Sequence, residues 1–156
     1  MRALVLGGCG FLGGSAANEL LRRGYDVVVL DKFIENEIDG VSYIRGDVTD
    51  IESLQAAIKG MDEIYHYAGE LGTTELFQDP HAAVAVNISG TLNVLSVAMQ
   101  CNVKRMMYCA MPSIWLNMYS ITKKAASDIC MAYKKTFGFD VRVMRICNRA
   151  VQFSDL

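Results

Sequence analysis

Short apolar runs alternate with helix-spaced apolar positions along the described pattern of this chain. Ala3–Leu6 is a continuous apolar run with the length of a buried strand. Phe11, Leu12, Ala16, Leu20 and Leu21 then follow helical spacing, and Gly24 stands where a helix would end on a left-handed residue. Asp26–Leu30 predicts a second strand and Val41–Arg45 a third. Thr49 and Glu52 outline a capping box ahead of Ile51, Leu54 and Ile58, and Gly60 closes that helix. Glu63–Ala68 predicts a fourth strand, and Val84, Ile88, Leu92, Leu95 and Met99 mark a long helix. Arg105–Ala110 is the fifth strand. Ile121, Ala125, Ile129 and Ala132 mark a further helix with Gly138 after it, and Val141–Cys147 is the sixth strand. Pro80 and Pro112 fall between these elements, in expected loops.

Strand, helix, strand, repeated, predicts an α/β domain with a doubly wound parallel sheet. About six strands are expected, with helices on both faces, and the 156 residues suit one domain over 1–156. Formal net charge is -2 and no basic patch stands out, so nucleic acid is not an expected partner. The chain opens directly into a strand-like run, without a basic segment followed by an apolar one, so no leader is expected. No apolar run reaches the ~18–20 residues of a membrane span, and a cytoplasmic location is expected. Five cysteines lie far apart, with no C-x-x-C pair and no histidine cluster, so they read as small apolar residues and no metal site is expected. Apolar residues make up 52% of the chain. Buried parallel strands account for part of that, and a face meant for a second subunit for the rest.

Chemistry enters at the first strand–helix turn, Gly7-Gly8-Cys9-Gly10-Phe11-Leu12-Gly13. Glycine there lets the backbone turn tightly and approach a pyrophosphate, and the helix N-terminus behind it offers N–H groups and a positive dipole end. Asp31 ends the second strand, where a carboxylate can accept both hydroxyls of an adenosine ribose and repel a 2′-phosphate. This is the signature of a Rossmann domain that binds NAD in preference to NADP. Lys32 is the neighbouring cation that could soften the preference.

The spacing Gly-x-x-Gly-x-x-Gly resembles the extended short-chain dehydrogenases, the family of NAD-dependent nucleotide-sugar epimerases and dehydratases. Further stretches carry the same resemblance. Gly46-Asp47-Val48 looks like the family's adenine contact, and His66-Tyr67-Ala68-Gly69 like the strand end beneath the cofactor. Asn87-Ile88-Ser89-Gly90-Thr91 resembles the family's helix motif, and Arg145-Ile146-Cys147-Asn148 the end of the sixth strand. The resemblance implies cofactor contacts from Gly7, Gly10, Phe11, Leu12, Gly13, Asp31, Lys32, Asp47, Val48, Tyr67, Ala68, Gly69 and Asn87. His66 reads as a satisfied core residue rather than a catalytic one.

Tyr119 and Lys123 stand four residues apart on a helix and share a face. An ammonium beside a phenol favours the phenolate, and such a base can take the proton of a sugar hydroxyl while hydride leaves for nicotinamide. Both would also touch the cofactor, with Lys123 on the nicotinamide ribose. The family pattern has a Ser or Thr after the fifth strand, and here Met111 stands at that position with Ser113 two residues on. A thioether accepts a hydrogen bond only weakly and donates none. Ser113 is therefore the expected substitute. Glu70 and Asn148, with Met111, are the expected substrate-side residues. Only three residues separate Trp115 from Tyr119, and the family's C-terminal substrate region is expected to be absent or truncated.

Two functions fit this pattern. One is an NAD-dependent epimerase or dehydratase of a nucleotide sugar, working by transient hydride transfer as a homodimer paired through two helices per subunit. The other is a non-catalytic NAD(H)-binding module, a redox sensor or a subunit completed by a partner, which Met111 would favour.

Overall fold

A computed structural model describes residues 1–35, 37–72, 79–111 and 116–146. Six strands pair in parallel: β1 (Arg2–Leu6), β2 (Asp26–Asp31), β3 (Ser42–Arg45), β4 (Glu63–His66), β5 (Arg105–Ala110) and β6 (Asp140–Arg145), in the order β3-β2-β1-β4-β5-β6. The order reverses between β1 and β4. The connections leaving β1 and β4 run to opposite faces there, and doubly wound sheets open a ligand crevice at such a point.

Parallel pairing forces each connection across a face of the sheet, and the strand pleat sorts the side chains between the faces. Ala3, Val5, Val27 and Val29 point to one side and pack with Ala17 and Leu20 of helix α1 (Phe11–Arg22). Leu4, Leu6, Val28, Leu30, Ile64, Met106 and Tyr108 point to the other. They bury Leu54 and Ile58 of α2 (Ile51–Ile58), Val94, Leu95 and Ala98 of α3 (Pro80–Gln100), and Ala126 and Cys130 of α4 (Met118–Phe137). Each of these larger aliphatic residues, fully withdrawn from water, contributes roughly 1.5–3 kcal/mol.

Several local expectations change. The cap of α2 is Asp50, which accepts the Glu52 N–H, rather than Thr49; the Thr49 N–H is taken by Asp47 Oδ1. An aspartate one residue nearer the helix satisfies the same orphan donors. Pro80 is not in a loop but at the first turn of α3, where its missing N–H costs nothing, with Asp79 as cap. β4 stops at His66 because the N–H groups of Tyr67 and Ala68 both turn to Leu6 O, at 2.8 Å each. α3 is longer than its apolar period suggests. Its 21 residues have a mean hydropathy of 1.6, so by length and composition it would pass as a membrane span, contrary to the expectation that no segment would. Its inner face is sheet core. Between two α-helical stretches, Val84–Gly90 winds as a π-helix, a local widening that the 3.6-residue apolar period does not reveal.

Candidate functional site

Only glycine fits the turn between β1 and α1. Gly7 has φ +77, and a Cβ there would lie 2.6 Å from the Ala68 amide nitrogen. A Cβ on Gly13 would collide with the Gly7 carbonyl. The chain therefore passes close over the β4 exit, and α1 starts directly at the carboxyl edge of β1. Gly10 is its N-cap, and no side chain caps it. Phe11, Leu12 and Gly13 form its first turn and line a cavity of about 440 Å³. A second cavity of about 360 Å³ continues along the strand ends, past Gly7, Gly10 and Gly69, to Asp31, Lys32, Asp47 and Val48. Both cavities share Gly7, Gly10, Tyr67, Gly69 and Leu71, so they form one elongated cleft at the switch point.

At one end of the cleft, Asp31 Oδ2 accepts the Cys9 N–H at 2.9 Å. The glycine turn and the acid at the end of β2 thus hold each other. Lys32 Nζ reaches Asp47 Oδ2 at 3.1 Å. Burial alone would raise the Asp47 pKa, but the Thr49 N–H and the Lys32 ammonium outweigh it and keep the carboxyl below its ordinary value. Lys32 is thereby engaged away from Asp31. The cation that sequence reasoning missed is Arg45, which lies beside Asp31 in the β2–β3 register. Only strand pairing brings the two together.

At the middle of the cleft the structure separates residues that the resemblance groups. Tyr67, Ala68 and Gly69 line it. Asn87 is 1% exposed and lines neither cavity. Its Oδ1 accepts the Glu70 N–H at 2.8 Å, and its Nδ2 donates to Glu70 O at 3.1 Å and Thr122 Oγ1 at 3.0 Å. Asn87 is expected as a cofactor contact, yet all its hydrogen-bonding capacity described here ties the β4 exit to α4. It sits within the π-helical stretch. Glu70 lines the cleft with its backbone held in this way.

At the far end stand Cys109, Ala110, Met111, Tyr119, Lys123 and Ile146. Asn117 caps α4 by accepting the Ser120 N–H, which starts the helix at Met118, one residue before Tyr119. Tyr119 is half-buried, and burial pushes its phenol above the ordinary value, with the Cys109 sulfur adding to the rise. Lys123 is 3% exposed, and burial pulls its ammonium down to about 8. Its Nζ lies 4.4 Å from the centroid of the Tyr108 ring. In the free chain, then, Lys123 does not lower the Tyr119 pKa as sequence reasoning expects, because the ammonium is turned onto Tyr108 and desolvation dominates both groups. Met111 Sδ accepts the Ser120 hydroxyl at 3.8 Å. Ser113 and Asn148 lie outside the described residues.

His66, beneath the cleft, is completely buried and held neutral, its pKa pulled down to about 3 by burial and then by Lys123. Nε2 meets Thr91 Oγ1 at 3.1 Å, while Nδ1 has no partner among the described residues. The core assignment holds, but the histidine is only half satisfied.

Residues 3–114 match the model of the NAD dependent epimerase/dehydratase family. The chain is 32% identical to a 2-alkyl-3-oxoalkanoate reductase of Stenotrophomonas maltophilia, over 73% of this chain and 34% of that protein. It is 26% identical to a dTDP-glucose 4,6-dehydratase of Streptomyces antibioticus, over 95% of this chain and 53% of that protein. Among solved structures, a UDP-glucose 4-epimerase of Thermus thermophilus in complex with NAD superposes with a TM-score of 0.84 at 25% identity, covering 93% of this chain and 54% of that one. A dTDP-glucose 4,6-dehydratase of Streptomyces venezuelae with NAD bound gives 0.86 at 26%, covering 95% and 56%. The chain thus spans between a third and somewhat over half of the length of these proteins.

Proposed function

The chain belongs to the NAD dependent epimerase/dehydratase family, and we propose that it binds NAD along the cleft and serves an epimerase or dehydratase reaction on a nucleotide sugar. The observation that carries this reading is the continuity of the cleft. One groove runs from Asp31, over the glycine turn and the first turn of α1, to Tyr119 and Lys123. The turn at Gly7 and Gly13 fits a pyrophosphate, since the close backbone packing that only glycine allows there brings the N-terminus of α1, uncapped by any side chain, to the cleft. Asp31 takes the adenosine ribose, with Lys32, Asp47 and Val48 around the adenine and Tyr67, Ala68 and Gly69 under the rest of the dinucleotide. Solved structures of this similarity hold NAD.

When bound, NAD supplies the hydride acceptor. Tyr119 takes the proton of the substrate hydroxyl as base. Lys123 holds the nicotinamide ribose and favours the Tyr119 phenolate by its charge. Bringing the ammonium from the Tyr108 ring towards the ribose and phenol hydroxyls lets one cation do both. Glu70 and Asn148 are assigned to the substrate side, and Ser113 to the hydrogen bond that Met111 cannot donate. Val84 and Leu92 on α3 and Ile121 and Met131 on α4 are exposed apolar residues on neighbouring helices. They support a homodimer paired through these two helices.

The test combines binding and turnover. Calorimetric titration with NAD is followed by assays with UDP-, GDP- and dTDP-sugars, reading sugar products as well as cofactor absorbance. Tyr119→Phe should abolish product formation, a loss of about 10²–10⁴ for one general base, and leave NAD affinity almost unchanged. Undiminished turnover in that variant refutes the mechanism. Met111 favours a second reading, a non-catalytic NAD(H)-binding module. Tight NAD binding without turnover on any sugar nucleotide selects it.

A further inference from the structure

Lys123 is a buried cation without an anion. Its ammonium has no salt bridge and no hydrogen bond to any described residue, although the side chain is only 3% exposed. An unpaired buried charge is costly unless some group replaces water around it. The groups facing it are Tyr108 and Cys109 from β5, His66 from β4, and Tyr119 and Cys130 from its own helix. Burial keeps the two thiols and the two phenols protonated, and His66 is neutral. None of them offers Nζ a negative charge at neutral pH. What remains is the face of the Tyr108 ring, 4.4 Å from Nζ to centroid.

Tyr108 is unusual in its own right. It is 0% exposed, and its hydroxyl makes no hydrogen bond of good geometry among the described residues, the Thr91 hydroxyl being its polar neighbour. The ring is tightly held. His66 packs edge-on against it, with centroids 5.4 Å apart and planes at 66°, and His66 is itself pinned to Thr91. The ammonium lies at the cleft: a Cβ placed on Gly69 would lie 3.6 Å from Lys123 Nζ, directly behind the β4 exit that lines the groove.

We propose that Tyr108 is a positioning residue for the Tyr119–Lys123 pair, its ring face holding the Lys123 ammonium at the cleft wall by a cation–π contact that stands in for the missing carboxylate. A neutral ring keeps the ammonium in place without neutralising it. A carboxylate at this position would bind the cation more firmly and withdraw it from the ribose and phenol. The inference rests on reading Lys123 as the ammonium of the pair, but its test reads the ammonium itself, so absent turnover would count against that reading alone.

The test is a 13Cε NMR titration of lysine-labelled full chain without cofactor, with the Lys123 signal assigned through Lys123→Met. The parent should titrate near its lowered value of about 8. Tyr108→Phe keeps the ring and should leave the midpoint almost unchanged. Tyr108→Leu should lower the midpoint by about one pH unit, the size of a desolvated cation–π contact. Should the leucine variant fail to fold, phenylalanines with increasing ring fluorination at position 108 keep the shape and drain the ring face of negative potential. The Lys123 midpoint should then fall stepwise with fluorine count. A midpoint that stays flat across the fluorinated series overturns the proposal. So does a Tyr108→Phe shift as large as that of Tyr108→Leu, which would assign the hold to the hydroxyl.

Discussion

Removing the Asn87 amide should loosen the cleft from below without touching its lining. Asn87 makes three hydrogen bonds, two to the Glu70 backbone and one to Thr122, at 2.8, 3.1 and 3.0 Å. In Asn87→Ala the Thr122 hydroxyl keeps its bonds to Met118 O and Tyr119 O. The Glu70 N–H and C=O, both in a part-buried setting, lose their partner. Each orphaned group costs about 1–3 kcal/mol, which sums to roughly 2–6 kcal/mol. That is a large share of a typical total of about 5–15 kcal/mol. With a urea slope of about 2 kcal/mol/M the midpoint should drop by roughly 1–3 M. Asn87→Asp separates the donors from the acceptor. It retains an oxygen for the Glu70 N–H but loses both Nδ2 donors and puts a carboxyl at a site that is 1% exposed. Desolvation raises the new carboxyl's pKa, while the Glu70 N–H and the Lys123 ammonium behind Gly69 lower it, so stability falls with rising pH if burial wins and rises with pH if the cation wins. The parent has no such term at this position. The assay is urea denaturation of parent and both variants between pH 4 and pH 8, with NAD affinity measured alongside. A midpoint shift in Asn87→Ala below roughly 0.3 M would show that the three bonds are worth almost nothing net. Unchanged stability with lost NAD binding would restore Asn87 as a direct cofactor contact.

Asp31→Ala should narrow the preference for NAD over NADP and weaken NAD binding; equal affinities for the two cofactors in the parent chain would sink the ribose assignment, and Arg45, beside Asp31 in the sheet, is then the residue to change next. Acid should destabilise the fold through His66. Its folded pKa of about 3 lies below the unfolded value of 6.5, so the unfolded chain binds more protons in that window, and its contribution, present above 6.5, is lost as pH falls through it, by up to about 1.4 kcal/mol per unit. Lys123 has the same sign at higher pH. Stability should rise between about 8 and 9, before the cysteine thiols enter with the opposite sign, and Lys123→Met should remove that rise in denaturation midpoints. Met111→Ser should raise turnover if a missing hydroxyl limits it, read as product formed per unit time with each sugar nucleotide.

The division of labour between chain and fold can be read from particular residues. Apolar runs such as Ala3–Leu6 and Asp26–Leu30 define their strands without help, because a strand buried on both faces has no polar alternation to disguise it. Ala3–Leu6 is followed by α1, a helix long enough to cross the sheet, which sets its parallel pairing with β2. β2 and β3 also pair in parallel, but no helix lies between them among the described residues, so that pairing is not legible from the chain. Gly7, Gly10 and Gly13 announce the turn for a local reason: their spacing is a property of neighbouring residues, and the close approach to Ala68 only confirms what glycine permits. Tyr119 and Lys123 share a face by helix geometry alone. The resemblance to a known family supplied the rest of the expected site.

What the fold decided comes from contacts between residues distant in sequence. Asn87 reads as a ligand contact in its motif, but Thr122 and the Glu70 backbone, 35 and 17 positions away, consume its amide. The π-helical stretch that turns it inward has no apolar signature. Arg45 comes beside Asp31 only through strand register. The state of Lys123 follows from burial rather than from the Tyr119 hydroxyl four residues away. Sequence fixes which chemical groups lie on one helix face, because helical geometry is local. It does not fix how much water surrounds them or which ring lies beneath them, because those depend on the packing of β4, β5 and α4 together.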